Sequence, residues 1–391
     1  MPPRVLKNVV PIRDFQGSHK SLIDVSIDEE GRIVAVGPDL AAPPGAQIVD
    51  ARGAYLSAGW IDSHTHIYYG ATDISLRPQQ AGMKTGVTTI VDAGSSGEAN
   101  FEGFKEYIVG RGPEDIFAFL NLGSIGLVAC NRVPELTSIA SIDIDRTLAV
   151  ARAHPGIIKG IKVSASHVIT GSWGITPLLL GTKVARILKL PLMVHVGEPP
   201  PLLDEVLAVL DPGDIMTHCF NGKNGGNILD DSFVLDLARK SYDRGILFDI
   251  GHGSASFSFR IARQAIDLGL APHIISTDLH GHDIDGPVWD LATTMSKILS
   301  LGITLEEVVK AVTERPSIAI GIDPAPTDWL KVGRRANFTV FETARGAVSV
   351  SDSMGEVQEI DKLILPRWAV LGPHLTSARA KTEDLLGAGR P

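Results

Sequence analysis

The sequence predicts an α/β fold: a (β/α)8 TIM barrel with a small discontinuous β-sandwich domain built from both termini. Three observations carry this. Across 58–329, eight short apolar stretches alternate with longer helical patterns, the count and size of such a barrel. The 57 residues before it alternate apolar and polar positions and contain no amphipathic helix. Strand patterns then return after about Leu330. Neither terminal piece is large enough for its own core. The reading therefore joins 1–57 and 330–391 into one β-sandwich domain beside a barrel domain at 58–329.

Within the N-terminal piece, 5–12 is a short apolar strand. Residues 22–37 alternate around Glu30-Gly31, as a hairpin does, and 47–59 read the same way. The eight barrel strands lie in GWIDSHTH, GVTTIVDAG, DIFAFLNLG, GIIKGIKVSAS, LPLMVHVGE, GDIMTHCFNG, GILFDIGHG and APHIISTDLHG. Helical patterns separate them near 77–84, 145–154, 181–189, 202–210, 232–244 and 259–268. A run at 288–301 and the stretch TLEEVVKAVTERPSIAIG close the barrel, with Thr304 as N-cap three residues ahead of Glu307. RRANFTVFET and GAVSVSDSMGEVQEIDKLILPRWAVLG read as strands, and 380–391 as a tail without order.

Composition narrows the function. Hydrophobic residues make up 44% and charged residues 21%, an ordinary globular balance, and the 40 Gly and 24 Pro are spread along the chain as many strand–loop–helix turns require. The formal net charge is −9 with no Lys/Arg cluster, which argues against nucleic acid or an anionic membrane as partner. No apolar run is long enough to span a bilayer, and the N-terminal stretch MPPRVLKNVVPIRDF does not read as a secretory signal. Two cysteines, Cys130 and Cys219, make no disulfide framework. The expectation is a cytoplasmic enzyme with a small-molecule substrate, with a homo-oligomer left open.

Barrel enzymes place their chemistry at the C-terminal ends of the strands. Strand one ends in His64-Thr-His66, and residues two apart in an extended segment point to one face, so both imidazoles can reach one ion. Strand five ends in His195, strand six in His218 and strand eight in Asp278. Any one of these histidines alone is more often a hydrogen-bonded structural residue. Four histidines and an acid, all at strand ends, make a metal site. Strand four offers Lys159 and Lys162, three apart and so on opposite faces. An ammonium repels divalent ions, but burial beside metal depresses the lysine pKa. The neutral amine can then add CO2 and become a carbamate with one oxygen for each of two metals. Lys162 lies nearer the C-terminal end and is the choice; Lys159 is read as an outer, solvated or salt-bridged lysine.

His19, His154, His167 and His374 lie in loops or at helix ends, and His273 sits at the wrong end of strand eight. His252, His280 and His282 lie at the right end. Trp173 in GSWG, Asn221 in NGKNGGN, His252 and His280 are the candidate substrate contacts, against plainer readings as loop packing and turn residues. Asp249 ranks below Asp278 as an acid, since it can simply anchor its loop. Cys219 is expected to be a buried small residue.

These motifs resemble those of the amidohydrolase superfamily. AGWIDSHTH, GIKVS, VHVGE, THCFNG and STDLHG look like its metal motifs, in particular those of the binuclear, dihydroorotase-like branch with a carboxylated lysine. ITGSWGITP, HVGEPPP and GHGSASFSF resemble an amidohydrolase/deacetylase group within it, and the resemblance covers essentially the whole chain. It implies that His64 and His66 bind the more buried of two divalent metals, zinc being the expected one, and that His195 and His218 bind the more exposed. It implies that Lys162 bridges them as a carbamate, and that Asp278 ligates the first metal and moves protons. The sequence departs from the pattern at Ala58, where proline is common, and at Ser164, where near relatives often carry arginine. The second departure bears on substrate preference.

The implied activity is hydrolysis of a small N-acyl amide or acyl ester, such as an acetylated amino acid or hydroxy acid, by a metal-activated hydroxide. Cyclic-amide opening passes through the same tetrahedral intermediate and is the alternative. Base deaminases of this fold usually lack the bridging lysine, and scaffold proteins of this fold lose metal ligands. Lys162 and the complete set of six positions weigh against both.

Overall fold

The computed structural model of the chain describes residues 1–12, 21–130, 132–133, 135–136, 138–322 and 328–386. His19 lies outside them. The first five strands are β1 (Arg4–Pro11), β2 (Ile23–Ile27), β3 (Ile33–Gly37), β4 (Gln47–Asp50) and β5 (Tyr55–Ala58). β2 and β3 form the hairpin expected around Glu30-Gly31. The segment expected as a second hairpin is not one. Both β4 and β5 run parallel to β1, β4 along Arg4–Lys7 and β5 along Val10–Pro11. The link between them closes a turn, with Ala54 N–H donating to Ala51 O, but it bonds to β1 and does not pair β4 with β5: Ala51 N–H donates to Lys7 O and Gly53 N–H to Asn8 O. Alternation specifies which face of a strand is buried but not which strand it pairs with.

The barrel follows. β6 (Trp60–Thr65), β7 (Val87–Gly97), β8 (Asp115–Asn121), β9 (Ile158–Ala165), β10 (Leu192–Val196), β11 (Ile215–Thr217) and β12 (Leu247–Asp249) pair in chain order, all parallel. Helices Ile144–Ala153, Thr176–Leu188, Leu203–Val209, Ser232–Arg244 and Phe259–Asp267 separate the later strands. Three of them start on side-chain caps, Asp143, Asp231 and Ser258, which satisfy backbone N–H groups left free in the first turn. Thr304 caps Leu305–Lys310 by accepting from Glu307 N–H, as its position predicts.

The eighth strand is expected in APHIISTDLHG, but no regular strand forms there. The segment closes the barrel through isolated parallel bridges, Ile274 to Asp249 and Leu279 to Thr65. Two carboxylates hold it: Asp62 accepts from Thr277 N–H and Oγ1, and Asp249 accepts from Ser276 Oγ. The ladder breaks because Asp278 takes a left-handed backbone with φ 54°, which an extended strand cannot contain.

Period-two alternation sorts the barrel residues into layers. Val91, Phe119, Met193, Ile215 and Ile274 fill the interior. Two residues further along β8 and β10, the same face presents Asn121 and His195. Gly160 leaves room for Phe119, whose ring would lie 2.1 Å from a Cβ there, and Lys162 follows two residues later.

The chain then returns to the sandwich through β13 (Asn337–Ser351), β14 (Val357–Leu371) and β15 (His374–Ser377). β13 pairs antiparallel with β5, placing Phe338 opposite Ala58. Strand order is thus β15-β14-β13-β5-β1-β2-β3, and both ends of the chain share one core that includes Leu6, Val25, Leu56, Phe338 and Val370. The stretch expected as a tail without order is partly built: Lys381–Asp384 forms a 3-10 turn, with Lys381 N–H donating to Asp290 Oδ2 and Arg367 paired with Glu383.

Candidate metal centre and active site

The barrel geometry brings the strand-end residues together. Pairing sets Lys162 opposite Asn121 on one side and Met193 on the other, and His195 opposite Ser164 and Thr217. His64, His66, Lys162, His195, Asp278 and His280 line one cavity of about 410 Å³ at the C-terminal ends of the strands. His218 is fully buried beside it, its ring centroid 4.3 Å from that of His195 and 5.0 Å from that of His64. Ligand atoms of His64, His218 and Asp278 lie within 4.8 Å of one another. A second cavity of about 540 Å³ lies among Gly59, Phe117, Thr313 and Trp329, and none of the expected site residues lines it.

Three of the imidazoles, those of His64, His66 and His218, are oriented from behind. His64 Nδ1 lies 3.0 Å from Thr217 Oγ1, and His66 Nδ1 lies 2.9 Å from Ser95 Oγ. His218 Nδ1 lies 2.6 Å from Gly251 O. A carbonyl oxygen only accepts, so His218 Nδ1 carries the proton. Burial holds the His218 and His195 rings well below the usual histidine range, hence neutral, and the Nε2 of His218 is a bare acceptor. It is buried without a hydrogen-bond partner. Such a deficit costs about 1–3 kcal/mol, and a coordinated cation removes it. The residues present therefore fit a metal.

Asp278 is the hub. Its Oδ1 lies 3.2 Å from His64 Nε2 and 2.9 Å from His66 Nε2, and its Oδ2 lies 3.9 Å from His218 Nε2. Burial alone pushes this carboxyl up, but the surrounding His64, His66 and His218 outweigh it and hold Asp278 well below the usual carboxylate range. His64 is pushed down by burial and by Lys162, yet Asp278 and Asp249 prevail and raise it. Both His218 and Asp278 adopt left-handed backbone, φ 69° and 54°, a conformation rarely kept by residues other than glycine unless their surroundings hold it. Lys162 Nζ lies 3.1 Å from His64 Nε2, and burial lowers its pKa to about 8.

Three of the expected substrate contacts are not at the cavity. Trp173 ends the 3-10 helix Gly171–Trp173 and does not line it. Asn221 is spent on its own loop: Nδ2 donates to His218 O and Gly226 O, and Oδ1 accepts from Lys223 N–H. His252 is buried behind the wall, bonded to Lys297. His280 does line the cavity, stacked on His66 at 6.4 Å. Asp249 sits behind the site as an anchor for Ser276, 3.9 Å from His64 Nδ1. Lys159 lies over the Phe117 ring and donates to Pro155 O. Cys219 is buried, with Sγ toward Asp249 O.

Sequence reasoning missed the polar side of the cavity. Glu135 accepts from Ser164 Oγ at 2.8 Å and from Asn121 Nδ2 at 2.5 Å. Glu198 pairs with Lys223 at 2.9 Å and accepts from Ser166 Oγ at 2.7 Å. Asn121 ends strand three, so the strand-end rule that selected the histidines was enough to find it. Glu135 lies in a loop with no local signal.

No family model matches the chain. Similar proteins are nevertheless well represented. A deacetylase of Agrobacterium fabrum (strain C58) is 54% identical over 376 residues, covering 96% of this chain and 92% of the relative. The chain belongs to the amidohydrolase superfamily. Within it, this amidohydrolase is a deacetylase-like hydrolase. Its fold matches a crystal structure described as a dihydroorotase with TM-score 0.92 and 52% identity, over 97% of this chain and 99% of that one. A structure described as an adenine deaminase matches with TM-score 0.87 and 31% identity, over 96% of this amidohydrolase and all of that chain. Among the described residues, no helix is long and apolar enough to cross a membrane.

Proposed function

We propose that the chain is a binuclear metal-dependent hydrolase that cleaves a small N-acyl amide or acyl ester in the cavity bounded by His64, His66, Lys162, His195, His218 and Asp278. The observation that carries this reading is the bare, buried Nε2 of His218 beside the Asp278 carboxylate. His64, His66 and Asp278 would hold one divalent metal and His195 and His218 the other, zinc being the ion that suits this nitrogen and oxygen set. The buried Lys162 amine would add CO2, losing one proton, and the anionic carbamate would then help hold the ions where an ammonium would repel them. Bound divalent metal supplies Lewis acidity, activating water and polarising the acyl carbonyl.

The rest is done by the chain. Thr217, Ser95 and Gly251 hold the three imidazoles with their Nε2 atoms toward the centre. Asp278 stays anionic, takes the proton of the attacking water and passes it to the leaving amine or alkoxide. Leu127, Val133 and Ile169 line the cavity and take the apolar part of the substrate, and Ser254 and Ser256 face it from the loop after β12. Cys130 and Cys219, which form no disulfide, suit a reducing cytoplasm.

Metal content per chain and a hydrolysis panel test this together. The panel holds N-acetyl amino acids, acetylated hydroxy acids, dihydroorotate and adenine. About two metals per chain and release of acetate support the proposal. Turnover of dihydroorotate alone replaces it with cyclic-amide opening, the second reading, which the 52% identity to the structure described as a dihydroorotase favours. Release of ammonia from adenine alone overturns both.

A further inference from the structure

Lys297 is fully buried on the helix Leu291–Ser300, and the proposed chemistry does not use it. Its Nζ lies 2.8 Å from His252 Nε2, 2.6 Å from Pro287 O and 2.8 Å from Ser351 O. An ammonium has three N–H donors, and three acceptors take them here. The acceptors come from three places: the loop after β12, the segment ahead of the helix, and the last residue of β13. Donation from Lys297 makes His252 Nε2 the acceptor and puts the ring proton on Nδ1, 3.0 Å from Gly253 O.

The turn between β13 and β14 completes the arrangement. Ser353 Oγ donates to Gly253 O at 2.7 Å, and Ser353 N–H donates to Phe257 O at 3.0 Å. Gly253 has φ 51°, and a Cβ there would stand 2.5 Å from Asp278 Oδ2. The three residues after it, Ser254, Ala255 and Ser256, form one wall of the cavity. A hairpin of the sandwich domain thus grips the loop that touches the hub carboxylate.

We propose that Lys297, His252 and Ser353 are a positioning network through which the sandwich hairpin holds the 253–256 wall against Asp278. The sandwich is then a working part of the active site. This rests on the reading of the cavity as the active site. Its physical basis is the sensitivity of catalysis to placement, where a shift of about 1 Å costs on the order of 10²-fold in rate.

The test uses the full chain as purified, with Ser353→Ala, His252→Leu and His252→Gln. Lys297→Met would strand buried carbonyls and risks unfolding, so the milder variants decide. Glutamine keeps an acceptor toward Lys297, and leucine removes it. Two readouts are taken: amide hydrogen exchange at 253–256, and kcat and KM on the best substrate of the panel. S353A and H252L are expected to speed exchange at 253–256 and to raise KM, each by roughly 10-fold or more, with metal content unchanged. H252Q is expected to keep most of the protection. Unchanged exchange in S353A and H252L overturns the network, as does H252Q behaving like H252L. A drop in thermal stability with KM unmoved reduces the three residues to structural support and also overturns it. A wild type that hydrolyses nothing on the panel sinks the proposed function instead, and the exchange measurement still decides the network.

Discussion

Nζ of Lys162 lies 3.1 Å from Nε2 of His64, so a lysine nitrogen and an imidazole face the same small space. Two nitrogen atoms at that separation can both face one cation only if the lysine gives up its positive charge and changes its chemistry. Lys162→Ala is therefore expected to lower metal content from about two per chain to one or fewer, with hydrolysis falling in parallel. Metal analysis of wild type and K162A, each with added zinc and bicarbonate, checks this. Equal metal content in the two sinks the bridging role.

Thr217→Val removes the hydroxyl behind His64 while keeping the side-chain volume. With Nδ1 left only the more distant Asp249 carboxylate at 3.9 Å, the ring loses its preferred tautomer and orientation. Metal affinity is expected to fall about 10–100-fold, read by competition with a chelator. The fold should survive, since Thr217 Oγ1 makes this bond on a strand whose backbone pairs with both neighbours.

Gly253→Ala is expected to be nearly inactive. The new Cβ would stand 2.5 Å from Asp278 Oδ2, on a backbone with φ 51°. Strain of this kind costs about 1–3 kcal/mol, so the urea midpoint should drop as well. Wild-type kcat/KM in G253A would show that Asp278 tolerates displacement and does not need its present position.

Glu198 gives a pH prediction. Burial pushes this carboxyl up, but the Ser166 hydroxyl and the Lys223 ammonium outweigh it and hold it at about 2. The unfolded chain, with a carboxyl near its ordinary 4.5, takes up the proton first as pH falls. The stabilisation is therefore complete above about pH 4.5 and fades toward pH 2. The stability gap between wild type and Glu198→Gln, measured by denaturant midpoints, should be largest near pH 6 and shrink as pH drops to 2.5. A gap that does not change with pH contradicts the assignment.

Much of this was legible in the sequence because period-two alternation and strand ends are local signals. His64, His195 and Asp278 each close an apolar stretch, and a parallel barrel turns that local position into a shared mouth. Where partners are chosen over distance, the reading failed. Residues 47–59 alternate like a hairpin, yet both of their strands found β1. APHIISTDLHG is as apolar as its neighbours, but the left-handed backbone of Asp278 denies it a regular ladder. Asn221 and His252 stand out in the sequence for their chemistry, and the structure spends that chemistry on a turn and on Lys297. Glu135 was invisible, since a loop acid gains meaning only when Asn121 and Ser164 arrive from two strands.

The joining of β5 to β13 has a consequence for how the molecule is made. Ser57 and Thr339, bonded across that seam, are 282 residues apart. During synthesis the N-terminal strands leave the ribosome first and wait through the entire barrel before their partner exists. Over that interval β5 presents an open edge, the kind of surface on which chains aggregate. The last strands to emerge therefore cover the hazard left by the first. Deleting β13 and β14 should yield an insoluble product even though every barrel residue is retained.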